Sequence, residues 1–314
     1  MINIYKNSFS QIALQSCSQI EKNSWIQLTD PTTQEIEEVA SHTGIPSSLI
    51  SQVLVEKELP RIKQVDQALL IVMDVPYMKD KSIKNKYVTY PLGVILYDQS
   101  YVVTVSLRRH QFLEQFVQGK VEDFYTEKQA RFFIQIVLKF AEEYLDTLGL
   151  IDEDIQKMEK STYHSTNNRE LIHFLNMQKT LVYFITSLQA NSFVLDKIRS
   201  DEILSLDRDD KMLLEDAIIE NKQCIETSIV YRDILDSTMD TYGTIISNNL
   251  NVIMKFLAGI TIVFSIPTMI SSFLGMNVPL GVLGESEFSF LIVCIFSFLI
   301  SFFIACWLKK KNML

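Results

Sequence analysis

Basic residues are in short supply. The 314-residue chain carries 29 Lys and Arg against 38 Asp and Glu, a formal net charge of −9. The cationic footprint that neutralises phosphates is missing, which excludes nucleic acid as a partner and favours cations. Glycine and proline are sparse, at nine and seven, and no Gly-rich phosphate loop is visible. The four cysteines, Cys17, Cys224, Cys294 and Cys306, show neither metal-ligand spacing nor a disulfide framework and read as reduced thiols. His42, His110, His164 and His173 lack zinc-like spacing and read as ordinary surface or helix residues. With no nucleophile–base set either, the sequence does not read as an enzyme. The opening MINIYKNSFS lacks the basic start and apolar core of a signal peptide, so the N-terminal domain is expected to stay in the cytoplasm.

Long apolar runs are present, and they come last. From Val252 to Leu274 the only charge is Lys255. Phe288 to Leu308 is uncharged, and Lys309-Lys310-Lys311 follows directly. Each run is long enough to span a bilayer core of about 30 Å. Lysines flank spans on the cytoplasmic side, so an even number of spans puts both termini in the cytoplasm of a multi-pass cell-membrane protein. The first run is not uniformly apolar. Ala258, Ser265 and Ser272 recur every seventh residue, and so do Met254, Thr261 and Thr268. The same phases continue upstream through Ser237, Thr244 and Asn251, and through Asp240 and Ser247. Together they draw a small, hydroxyl-bearing stripe along one helix face. Polar groups in a membrane face a bundle interior or a watery path. Close packing of small residues explains the stripe as well. In the second span, Ser289, Ser297 and Ser301 fit packing, with no pore role.

Upstream, the pattern is α+β: a mixed sheet with helices, then helices alone. Residues 1–125 hold short runs rich in β-branched and aromatic residues: Ile2–Tyr5, Ile12–Leu14, Trp25–Leu28, Ala68–Val75, Gly93–Tyr97 and Tyr101–Leu107. Thr32 with Glu35 reads as a capping box opening a helix that Gly44 closes. Pro46 opens a second helix to about Val55, and Asp98-Gln99 fits a hairpin turn. Residues 126–205 read as two antiparallel long helices. In the first, Phe133, Val137, Phe140, Tyr144 and Leu148 form the apolar stripe; Asn167-Asn168 breaks it before the second. Residues 206–251 read as a stalk helix that continues into the first span, 252–274. Ile218, Ile225, Met239, Ile246 and Ile253 fall in sevens, and Leu214, Leu235 and Tyr242 form a second seam. This spacing suits packing within the chain or between subunits. The stalk is acidic: Asp201 to Asp240 holds twelve acids against Arg208, Lys211, Lys222 and Arg232.

The first span closes on Gly275-Met276-Asn277. Pro267-Thr268 begins ten residues before Asn277, a loop (275–287 with the tripeptide) leads to the second span (288–308), and a basic tail (309–314) ends the chain. In this layout, which covers nearly the whole chain, the sequence resembles the CorA family of divalent-cation channels. Glu58-Leu59-Pro60-Arg61, a turn into a strand, also resembles a family feature. Leu274 departs from the aromatic usual there. The resemblance implies a homopentamer in membrane lipid passing Mg²⁺, and also Co²⁺ or Ni²⁺, inward down the membrane potential. Mg²⁺ sheds water reluctantly, so Gly275, Met276 and Asn277 would form a filter for the hydrated ion, with Gly275 allowing a tight turn and Met276 buttressing it. Asn251, Ala258, Thr261, Ser265, Thr268 and Ser272 would line the pore. Met254 and Leu257 match the family's hydrophobic gate. Asp216 matches its stalk acid that binds regulatory Mg²⁺, with Asp74 as candidate partner. Glu285 and Glu287 in the loop could concentrate cations at the mouth. Two other readings fit the layout: a zinc transporter of the same superfamily, proton-coupled, and a membrane-anchored sensor without transport.

Overall fold

The computed structural model describes residues 1–8, 11–79, 87–162, 168–277 and 288–311. The loop acids Glu285 and Glu287, the helix break at Asn167 and His164 lie outside the described residues. The chain divides into two compact units, Met1–Thr238 and Met239–Leu314.

The first unit begins with β1 (Ile2–Ser8), β2 (Gln11–Ser16) and β3 (Ser24–Thr29). Next come α1 (Thr33–Thr43), α2 (Ser47–Ser51), β4 (Arg61–Val65), β5 (Ala68–Met78), β6 (Tyr87–Tyr97) and β7 (Tyr101–Ser106). The strands form one seven-stranded sheet in the order β2-β1-β3-β7-β6-β5-β4. Only β3 and β7 pair in parallel. The β6–β7 turn places Asp98 and Gln99 at φ 45° and 47°, the left-handed backbone that tight hairpins require.

On one sheet face α1, α2 and the turn after α2 bury Ile36, Val39, Leu49, Ile50 and Val53 against Ile26, Leu28, Leu70 and Val72. Thr32 caps α1 in a reciprocal box with Glu35, and Gly44 ends it at φ 82°. The second helix stops at Ser51, four residues short of the expected Val55, because the chain turns to pack Val53 onto the sheet. There Gly93 of β6 is needed: an added Cβ would lie 2.5 Å from a Val53 methyl carbon.

The other face carries α3 (Gln111–Val117), α4 (Gln129–Thr162) and α5 (Asn168–Ser200). Phe133, Val137, Phe140, Tyr144 and Leu148 are all fully buried, so the expected stripe is the core-facing side of α4. Trp25 packs edge-on to Phe116, Phe124 and Phe132 and donates from Nε1 to Thr104 Oγ1 at 2.9 Å.

Helix α6 (Arg208–Leu274) has 67 residues, roughly 100 Å at 1.5 Å per residue. It starts two residues later than Leu206 because Asp207 caps it, its Oδ1 accepting from the Asp210 backbone N–H at 2.8 Å. In the first unit Leu214, Ala217, Ile218, Cys224 and Leu235 are buried. Asn221 Nδ2 donates to the Leu188 carbonyl, and Cys224 Sγ to the Ala141 carbonyl. This part of the stalk therefore packs on α4 and α5 of its own chain. The isoleucine seam fades along the helix: Ile225 and Met239 are half-buried, Ile246 and Ile253 exposed. The second unit holds the rest of α6 and α7 (Ser289–Lys310).

Candidate functional site

Two helices are long and apolar enough to cross a membrane: α6, through its C-terminal part, and α7. Their mutual packing face is readable from burial. On α6, Gly259 is buried, and Ile260, Val263, Ile266, Pro267, Ile270 and Leu274 are half-buried. On α7, Ser297, Ser301 and Leu308 are buried. A cleft of about 310 Å³ lined by Ser271, Leu274 and Gly275 of one segment and Ser289, Phe290, Val293 and Cys294 of the other sets their ends side by side.

Asn251, Met254, Leu257, Ala258, Thr261, Ser265, Thr268 and Ser272 are all exposed. At roughly 100° per residue these eight centre about 180° from the packing face. The stripe is thus the side of α6 that α7 leaves uncovered. Three of its hydroxyl hydrogens are already used. Thr261 Oγ1 donates to the Leu257 carbonyl at 2.8 Å, Ser265 Oγ to Ile262 at 2.8 Å, and Thr268 Oγ1 to Phe264 at 3.1 Å. Each donor turns back into the helix, which leaves oxygen lone pairs as the outward chemistry. Waters around a cation present hydrogens outward, so a row of acceptors suits them. Pro267 lies inside α6 without ending it; lacking an N–H, it leaves the Val263 carbonyl without its usual donor.

Beyond Leu274 the helix closes with Gly275 N–H donating to the Ser271 carbonyl at 3.0 Å and Met276 N–H to Phe273 at 3.4 Å. Gly275 is not in the left-handed region, unlike Gly44 and Gly119. A Cβ there would meet Ser271 O at 3.4 Å, ordinary contact. The helix end at Gly275 itself shows no left-handed residue, and the chain that a tight turn would lead into, 278–287, lies outside the described residues. Met276 and Asn277 are exposed.

In the first unit Asp216 is exposed on α6. Met212 and Ile219 share its face at 61% and 58% exposure, an apolar surface that the chain itself leaves open. Asp74, on β5, sits in a different setting. Its Oδ2 accepts from Ser187 Oγ at 2.7 Å, while its carbonyl accepts from Asn191 Nδ2 and Tyr144 OH at 2.7 and 3.1 Å. Burial raises its pKa, opposed by the Ser187 hydrogen bond. Among the described residues no three His, Cys, Asp or Glu side chains gather as a metal site.

Two titratable groups escaped the sequence reading. His110, expected as a surface or helix residue, is 1% exposed, lies between Tyr77 and Phe112, and has no hydrogen-bond partner on either ring nitrogen among the described residues. Burial lowers its pKa to about 4. Burial raises Glu143 to about 7, with Asp146 adding to it against a hydrogen bond from the Phe112 backbone. Neither has a local signal, since both environments are made by α3, which the sequence did not reveal.

The profile of the family described as CorA-like Mg²⁺ transporter protein matches residues 21–310. The cobalt/magnesium transport protein CorA of Methanocaldococcus jannaschii is 25% identical over 256 residues, 81% of this chain and 79% of that one. Its namesake from Thermotoga maritima is 20% identical over 270 residues, 81% and 73% of the two chains. The complete structure of the M. jannaschii CorA magnesium transporter superposes with a TM-score of 0.84 at 22% identity, covering 99% of this chain and 98% of that one.

Proposed function

Because this chain belongs to the CorA family, we propose that it is a homopentameric cell-membrane channel carrying divalent cations, chiefly Mg²⁺ and also Co²⁺ or Ni²⁺, into the cell. Both termini lie in the cytoplasm. The observation that carries this reading is the placement of the hydroxyl stripe opposite the α6–α7 packing face, ending at Gly275-Met276-Asn277. Copies arranged around an axis turn that face inward while α7 lies behind it. A ring of Asn277 amide oxygens accepts hydrogen bonds from the waters of a hydrated ion. Thr268, Ser265 and Thr261 then pass it along through lone pairs held outward, with Ala258 and Ser272 leaving room and Asn251 at the inner end. Neutral acceptors bind weakly enough to release. Met254 and Leu257 close the path by dewetting. A double charge falling through 100 mV gains roughly 4.6 kcal/mol, from about 2.3 per charge, so no fuel domain is needed.

Regulation follows from the stalk. The exposed Met212 and Ile219 support a neighbouring copy against this face, which brings Asp216 to a subunit boundary. Cytosolic divalent cation between subunits offsets the repulsion of these acids; when it leaves, the closed ring loosens. Burial disfavours a charged Asp74, with the Ser187 hydrogen bond only opposing that effect, so the sensor reading rests on the exposed Asp216.

Flux into proteoliposomes with an inside-negative potential tests this. Wild-type protein is expected to admit Mg²⁺ and Asn277→Ala to lose most of that flux. Unchanged flux in the variant would remove the filter role. Zn²⁺ uptake that needs a pH gradient, without Mg²⁺ flux, would select the proton-coupled zinc reading instead. No flux of any ion would favour the sensor.

A further inference from the structure

The second unit has an uneven charge inventory. Among its described residues the only acid is Asp240, while Lys255, Lys309, Lys310 and Lys311 supply four cations. None of the four makes an ion pair among the described residues. Their depth can be worked out from the register of the two spans. The cleft lined by Leu274 and Gly275 with Ser289 and Phe290 aligns one pair of ends. Lys255 lies 19 residues before Leu274, and Lys309 lies 19 residues after Phe290. Both descend about 28 Å from that level at 1.5 Å per residue, close to the thickness of a hydrocarbon core at about 30 Å. The lysines therefore meet at one boundary of the membrane, the one from which α6 arrives.

Direction matters as much as depth. On α6, Lys255 falls roughly a quarter-turn from the α7 packing face and about the same from the hydroxyl stripe. It points along the flank, toward lipid rather than toward the proposed axis. Trp307, 54% exposed, stands about one turn before Lys311 on the same face of α7, at a depth where an indole favours the headgroup region. Long lysine stems can lie along the apolar span while their ammonium groups reach the headgroup layer. Unpaired cations on a lipid-facing flank lack only an anion, and a lipid phosphate is the anion found at that depth.

We propose that Lys255 and Lys309–Lys311 form a binding site for the headgroup of an anionic phospholipid in the stalk-side leaflet. Lys255 grips from the first span and the three tail lysines from the second, so one headgroup clamps the two helices together at the end opposite the filter. The site rests on the two-span membrane reading but not on the identity of the transported ion.

The test uses the full-length protein in phosphatidylcholine vesicles containing a fixed fraction of lipid brominated near the headgroup, either phosphatidylglycerol or phosphatidylcholine. Bromine quenches the Trp307 emission on contact. The other tryptophan, Trp25, is fully buried in the sheet domain and supplies a constant background, measured with W307F. Brominated phosphatidylglycerol is expected to be preferred about fivefold, the gain of a single net lysine contact with an anionic lipid. That preference should fall part-way in K255Q and vanish when Lys309, Lys310 and Lys311 are also replaced by Gln, with the thermal unfolding of the variants unchanged. Glycerol phosphate in the bath should leave the preference intact. Equal quenching by both lipids, a preference that survives all four substitutions, or its loss to soluble glycerol phosphate would each overturn the site. Quenching by neither lipid would overturn the membrane placement along with it.

Discussion

His110 shows what one enclosed side chain does to the response to pH. Its folded pKa, about 4, lies below the ordinary value of 6.5. In that window the unfolded chain binds a proton that the folded chain refuses. The stability it contributes is complete above pH 6.5 and is lost as pH falls toward 4, roughly 3 kcal/mol at most. Glu143 has the opposite sign. Its folded pKa of about 7 exceeds 4.5, so its contribution is complete below pH 4.5 and is lost as pH rises through 7. His110→Phe should fit among Tyr77 and Phe112 and flatten the acid side of a plot of melting temperature against pH; Glu143→Gln should flatten the neutral side. An unaltered profile in either variant would mean that the enclosure is looser than described. Gly93→Ala, with its methyl driven toward Val53, should cost about 1–3 kcal/mol in thermal unfolding.

At the scale of elements, α6 has two faces with separate duties, and substitutions should sort by face. Leu235 is fully buried in the stalk, so Leu235→Ala should destabilise the chain by about 2–5 kcal/mol. Ile219, 58% exposed beside Asp216, should do little to the chain when changed to Ala but weaken assembly, seen as smaller particles in size-exclusion chromatography in mild detergent. Elements with local signatures were legible in the sequence. Thr32, Glu35 and Gly44 announce α1 at both ends, and the Phe133–Leu148 stripe announces the buried side of α4. Helix α3 was not legible: its seven residues contain no capping side chain or full amphipathic period, and contact with α4 makes it. The early stop at Ser51 has the same origin, since nothing near that residue announces the meeting of Val53 with Gly93. The stripe from Asn251 to Ser272 could be read as a stripe, but which way it faces depends on α7 and is a property of the pair.

For the whole molecule, the prediction concerns divalent-cation removal. If Asp216 lies at a subunit boundary, chelation should increase proteolysis of the stalk in wild-type protein, and Asp216→Lys should abolish the difference between Mg²⁺ and chelator. A titration identical to wild type would remove Asp216 as sensor. Asp74 is instructive here. The family resemblance offers it only as a candidate partner for Asp216; within the chain its hydrogen bonds run to Tyr144 on α4 and to Ser187 and Asn191 on α5, 70 to 117 residues away along the sequence. Sequence distance gave no hint of those ties.

Because the anchored side and the hydroxyl side of α6 do not overlap, each can change without rewriting the other. Replacing Thr261, Ser265 or Thr268 changes the uncovered side of the rod but spares the hairpin that holds it. On the proposed reading of that side as an ion path, one scaffold is retuned to a different hydrated cargo by a handful of small, outward substitutions, with the partner helix kept as it is.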